Sequence, residues 1–104
     1  VQLCAGDLGW PCARTYDIES WMPGQGVYRE THSVSTTTDF QSRALHIKVE
    51  RAGKKEYVHM LNGTAFAIGR TLIAIIENYQ QPDGSIKIPK VLQPYMHGLK
   101  VIKP

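Results

Sequence analysis

The hydrophobic pattern changes period once along the chain. Up to about residue 61 apolar and polar positions mostly alternate, which is the pattern of half-buried strands; beyond it they recur at helical spacing. Thr15-Tyr16-Asp17-Ile18-Glu19-Ser20-Trp21-Met22 places Tyr16, Ile18 and Ser20 on one face and Asp17, Glu19 and Trp21 on the other, so a strand with two differently used faces is predicted. Pro23-Gly24-Gln25-Gly26 is turn chemistry, and Val27 to Ser35 reads as the next strand. Thr38 or Asp39 is placed to cap a short helix over Phe40 to Leu45. Leu45 to Arg51 and Glu56 to Leu61 read as a hairpin around Ala52-Gly53-Lys54-Lys55. Val1 to Ala5 is a further short strand, followed by a loop rich in Gly and Pro.

Asn62-Gly63 then predicts a break, with Thr64 as N-cap of a helix reaching Tyr79. Ala65, Ile68, Leu72, Ile75, Ile76 and Tyr79 form its apolar stripe, which needs a surface to bury against. Arg70 and Glu77 fall on the opposite face. Gln81-Pro82-Asp83-Gly84 ends the helix. A short extended segment follows over 85–89, then a helical turn near 91–96 and an apolar tail, Leu99-Lys100-Val101-Ile102. The fold class expected is α+β: a mostly antiparallel sheet with one long packed helix.

Size and charge narrow this only a little. The 104 residues suffice for one small domain with a modest core. A net charge of +3 and a pI near 9.0 permit a nucleotide or RNA partner without requiring one. The two cysteines, Cys4 and Cys12, lack zinc spacing and are too few for a secreted disulfide scaffold, so reduced thiols in a cytoplasmic protein are expected. No apolar run is long enough to span a membrane. The chain opens on Val1-Gln2-Leu3-Cys4-Ala5 without an initiator Met, as a fragment of a longer protein would.

Two clusters could carry chemistry. Arg70, near the start of a helix and beside a polar turn, suits a phosphate, and suits equally a solvated helix face. Glu30, His32 and Ser33 could line a site or be ordinary strand residues. Asp17 and Glu19 read as solvated charges, and His46 and His59 as structural cross-strand neighbours.

Several blocks, in order and spacing, carry a family resemblance. Thr15 to Pro23 matches T-Y-D-[LI]-E-x-W-x-P, Tyr28-Arg29-Glu30-Thr31-His32-Ser33 matches Y-R-E-x-x-S, and Asp39-Phe40-Gln41-Ser42-Arg43 matches D-F-Q-[AS]-R. Leu61 to Gln81 resembles motif 3 of class II synthetases in its seryl form, and Asp83 to Met96 resembles that family's ending. Nearly the whole chain therefore resembles the carboxy-terminal part of a seryl-tRNA synthetase, including motif 3.

The resemblance implies an antiparallel active-site sheet backed by helices. It implies a cytoplasmic, homodimeric parent that activates serine with ATP and magnesium to seryl-adenylate and then charges serine tRNA. By the same resemblance Arg70 contacts the terminal phosphate of ATP, with Glu30 and Arg70 the residues closest to catalysis. Glu30, Thr31, His32 and Ser33 line the ATP site, Glu30 and Ser33 hold magnesium, and Asn62 and Thr64 line the serine pocket. Val34-Ser35-Thr36 departs from the family's frequent Cys-Ser-Asn, and Ala44 stands where a second Arg is common. The coiled-coil arm, motifs 1 and 2 and the T-x-E serine-binding strand are not among these residues, so the 104 residues alone are expected to be inactive. The alternative reading is a non-catalytic nucleotide- or RNA-binding fragment or paralogue.

Overall fold

The computed structural model describes residues 1–104. Its elements are β1 (Arg14–Met22), β2 (Val27–Thr38), α1 (Phe40–Leu45), β3 (Lys48–Arg51), β4 (Lys54–Tyr57), β5 (Met60–Thr64), α2 (Ile68–Tyr79), β6 (Ile86–Lys87) and β7 (Val101–Ile102), with a 3₁₀ turn at Gln93–Met96 before β7. The architecture is α+β, as the pattern predicts. The residues group into two compact units, Val1–Glu19 with Glu30–Ala67, and Ser20–Arg29 with Ile68–Pro104.

In the first unit the strand order is β1-β2-β5. β5 runs antiparallel to β2, with Ser33 opposite Thr64, Val34 opposite Gly63, Ser35 opposite Asn62 and Thr36 opposite Leu61. The register then slips, Thr38 facing Met60, so Thr37 is an extra residue in β2. That bulge turns the fully buried Thr37 hydroxyl onto the Met60 carbonyl at 3.1 Å and leaves Thr38 at φ 47°.

The buried layer of this unit is polar. Thr15, Asp17, Thr31, Ser35, Thr37 and Ser42 are all buried, whereas Tyr16, Ile18, Val34 and Leu61 are exposed. Hydroxyl pairing makes this tolerable, because buried polar groups cost little once hydrogen-bonded. Thr15 Oγ1 and Ser35 Oγ lie 2.7 Å apart, and the Ser42 hydroxyl donates to the Asp39 carbonyl at 3.0 Å. Asp17, expected as a solvated charge, is 8% exposed, and its Oδ1 is buried with no hydrogen-bond partner.

Other sequence expectations shift by a few residues. Val1 to Ala5 forms a single bridge, Gln2 to Tyr16, rather than a strand. The hairpin is β3–β4, turned by Ala52 (φ 49°) and Gly53 (φ 74°), two successive left-handed residues as a tight two-residue turn requires. His46 is the left-handed C-cap of α1 and not a strand neighbour of His59. Tyr57, on β4, carries Arg43 and Lys48 over its ring, 4.8 and 4.7 Å from the centroid. Cys4 and Cys12 are free thiols.

In the second unit, α2 begins at Ile68, one turn later than Thr64 would start it. Of its residues Ala74 is buried, while Ile68, Leu72, Ile73, Ile76 and Tyr79 are exposed. Polar contacts anchor the helix to the segment 20–29. Asn78 Nδ2 donates to the Trp21 and Ala74 carbonyls at 2.9 and 2.8 Å, and Glu77 Oε2 accepts from Gly24 N at 2.8 Å. β6 and β7 pair antiparallel beyond it, Ile86 with Ile102 and Lys87 with Val101. No helix is long and apolar enough to cross a membrane.

Candidate functional site

The first unit brings together the candidates that the sequence places on two separate segments. Glu30, Thr31, His32 and Ser33 are consecutive on β2, and Asn62 and Thr64 lie on the adjacent β5. Register sets Ser33 beside Thr64, with Asn62 one pair further along beside Ser35. Directly opposed residues of an antiparallel pair share a face, so Ser33, Ser35, Asn62 and Thr64 form one polar patch. Asn62 and Thr64 are exposed, Ser33 is half-buried and Ser35 is buried against Thr15, so a ligand reaches the patch through Asn62, Thr64 and Ser33.

Gly63 makes this patch possible. A Cβ at Gly63 would sit 2.8 Å from the Ser33 carbonyl oxygen and 3.3 Å from Val34 Cα. Only glycine lets β5 approach β2 this closely. Asn62-Gly63 is therefore not a break: the pair continues β5, and glycine serves close approach instead of a turn.

Thr31 and His32 are fixed from behind. Thr31 is 1% exposed, and its hydroxyl donates to the Ile18 carbonyl at 3.2 Å. His32 Nδ1 lies 2.9 Å from the same oxygen. Which of the two atoms donates depends on the tautomer of the imidazole. Phe66 packs edge-on against the imidazole, ring centroids 4.5 Å apart, and the Ala67 amide donates to the Thr31 carbonyl at 2.9 Å. The segment after β5 is thereby tied to β2.

Glu30 is half-buried on β2, three residues before the half-buried Ser33, an odd spacing that regular strand alternation puts on opposite faces, so joint use of the two needs a local twist of β2. Their donor set, one carboxylate and one hydroxyl, is all hard oxygen. It suits magnesium, which takes few protein ligands and fills its octahedron with phosphate oxygens and water. No cluster of three or more His, Cys, Asp or Glu residues could cage a metal on its own. Arg70 belongs to the second unit, where it is the exposed third residue of α2.

The sequence reading missed Gly63 as a spacer, Phe66 as the brace of His32, and the buried carboxyl of Asp17. A signal existed for the first alone: a Gly inside a β-prone run marks close backbone approach as readily as a turn.

Residues 1–79 match the tRNA synthetase class II core domain (G, H, P, S and T). The serine–tRNA ligase of Dictyoglomus thermophilum is 63% identical over 105 residues, covering 100% of this chain and 24% of that protein. That of Thermodesulfovibrio yellowstonii is 59% identical over 105 residues, covering 99% of the chain and 24% of the protein. Among solved structures, seryl-tRNA synthetase from Pyrococcus horikoshii complexed with ATP superposes with a TM-score of 0.90 at 51% identity, over 99% of this chain and 23% of that one. Cytoplasmic serine–tRNA ligase from Naegleria fowleri in complex with AMP gives 0.86 at 45% identity, over 98% and 24%. The chain thus spans about a quarter of the length of the curated relatives it matches.

Proposed function

Since the chain belongs to the family of class II tRNA synthetase core domains, we propose that it is the carboxy-terminal, ATP- and serine-binding portion of a seryl-tRNA synthetase. The parent enzyme joins serine to ATP as seryl-adenylate, releasing pyrophosphate, and passes the seryl group to the 3′ end of serine tRNA. It works in the cytoplasm as a homodimer.

The observation that carries this reading is the register of β2 against β5, with Ser33 beside Thr64 and Ser35 beside Asn62. It sets the segment assigned to ATP next to the segment assigned to serine, with Gly63 holding the two strands close. Asn62 and Thr64 offer hydrogen-bond partners to a small hydroxylated amino acid, and a site built around such partners rejects analogues that leave them unpaired. His32 is held along the ATP segment by Thr31 and Phe66. Glu30 and Ser33 would hold magnesium, which would neutralise phosphate charge. Arg70 offers a planar fork to the terminal phosphate. The residues position substrates and offset charge, and no side chain need act as a nucleophile.

The test is serine-dependent exchange of pyrophosphate into ATP by the full-length protein that carries this chain. Arg70→Ala is expected to lower the exchange rate by a factor corresponding to about 2–4 kcal/mol of transition-state stabilisation, measured on protein shown by urea unfolding to be folded. Exchange that is absent in the unmodified protein, or unaltered in the variant, refutes the respective assignment.

A further inference from the structure

We propose that a cleft in the second unit, bounded by β6, β7 and the turn between Pro89 and Gln93, binds the phosphate backbone of a single-stranded RNA segment through Lys87, Lys90 and Lys100. This surface contains none of the residues assigned above to ATP or serine.

Charge is the first observation. The net positive charge of the chain resides entirely in the second unit. That unit carries Arg29, Arg70, Lys87, Lys90, Lys100 and Lys103 against only Glu77 and Asp83, whereas acids outnumber bases seven to six in the first. Both acids of the second unit are engaged locally. Glu77 accepts the Gly24 amide, and Asp83 Oδ1 accepts the Ser85 hydroxyl at 2.7 Å and its amide at 3.0 Å. Those bonds from Ser85 hold the Asp83 carboxyl below its ordinary pKa. Neither acid is ion-paired to the lysines of the cleft.

Shape is the second. The cleft has a volume of about 600 Å³ and no acidic residue in its lining. Its wall combines Ile88, Pro89, Val91 and Val101 with Tyr79. The backbone behind the lysines is fixed: Lys87 pairs with Val101, Ile88 N donates to the Lys100 carbonyl at 2.8 Å, and Gln93 Nε2 donates to the Ile88 carbonyl at 3.0 Å. The three lysines themselves are exposed. A fixed frame with long, mobile ammonium groups suits phosphates whose spacing varies. An aromatic face beside a basic groove is the pairing that holds single strands. A concave cleft takes a flexible strand, whereas a duplex or a membrane surface needs a broad face. The choice of RNA over an acidic peptide rests on the synthetase reading, which makes an RNA the protein's substrate.

The experiment measures fluorescence anisotropy of a labelled uridine decamer on the full-length protein across a salt series. Three phosphate contacts on a single strand contribute a slope of about −2 in log K against log salt, an approximately 20-fold fall in affinity between about 50 and 200 mM. Replacing all three lysines (Lys87→Gln, Lys90→Gln, Lys100→Gln) is expected to remove that component. A variant with Arg51→Gln, Lys54→Gln and Lys55→Gln, which loses the same charge in the first unit, is expected to keep it. Unchanged affinity and slope in the first variant overturn the proposal, as does equal loss in the second. Displacement of the decamer from the lysine cleft by polyglutamate at equal charge concentration also overturns it, in favour of an acidic protein partner. Serine-dependent pyrophosphate exchange needs no RNA and is read in parallel, so failure of the enzyme reading and failure of the cleft reading register separately.

Discussion

Gly63→Ala adds one methyl group where two strands nearly touch. The new Cβ would lie 2.8 Å from the Ser33 carbonyl oxygen, and ordinary contact begins at 3.4 Å, so β2 and β5 must separate by about 0.6 Å at that pair. The obstacle is backbone and cannot swing aside as a side-chain end would. Forcing an extra carbon into such a contact costs about 1–3 kcal/mol, which is about 5- to 160-fold in the folded-to-unfolded ratio. The strain falls at the Val34–Gly63 pair, beside Ser33 and Thr64, so the proposed ATP and serine binding is expected to weaken beyond what stability alone explains. Urea unfolding measures the first effect as a lower midpoint at constant m-value, and isothermal titration measures the second. Gly69→Ala is the internal reference. A Cβ at Gly69 meets nothing within 4 Å, and the position lies in α2, so the same substitution is expected to stabilise by up to about 1 kcal/mol. A Gly63→Ala protein within about 0.5 kcal/mol of the parent, a shift smaller than overpacking gives, would refute the close-approach reasoning.

Two further predictions follow from the polar layer and from α1. Thr15→Val strips one partner from the buried pair with Ser35 and is expected to destabilise by about 1–3 kcal/mol; adding Ser35→Ala should cost less than the sum of the single changes in a double-mutant cycle by urea unfolding. Asp39 is held below its ordinary pKa chiefly by the hydrogen bond from Arg43, so its folded pKa lies below the unfolded value near 3.8. Its contribution is therefore present above that pH and lost as pH falls through the folded pKa; the stability difference between the parent and Asp39→Asn should be small, weaken with salt, and vanish in acid titrations once the pH has fallen through that folded pKa.

The period of the apolar residues was enough to read the strand region, the long helix and the α+β class, because alternation and helical spacing are local properties of the chain. What it could not supply was pairing. Asn62-Gly63 has strong turn chemistry, yet its backbone is claimed by β2, and tertiary pairing overrides local preference. Thr64 is a good cap by composition, but it is opposite Ser33 in the ladder, so the helix starts only at Ile68. Asp17 looked like a solvated carboxylate because its neighbours Tyr16 and Ile18 are the apolar ones; the sheet instead buries the polar side and exposes those two. Alternation identifies two faces and is silent on which one is covered. Of the candidate residues, the β2 and β5 groups came from the family resemblance, and only their register made them neighbours.

The Thr15–Ser35 hydrogen bond has one property that a backbone ladder lacks. Either hydroxyl can be the donor, so the bond has two orientations related by rotating two protons. The nearby bonds from Thr31 to Ile18 and from Thr37 to Met60 end on carbonyls and have a single sense. The pair is therefore a reversible dipole within the buried layer, joining β1 to β2, the strand that also carries Glu30 and Ser33. When charge arrives at or leaves that strand, this pair can reverse without moving a heavy atom. The sheet thus holds its geometry like a solid while answering a changing field, at one point, as a liquid does.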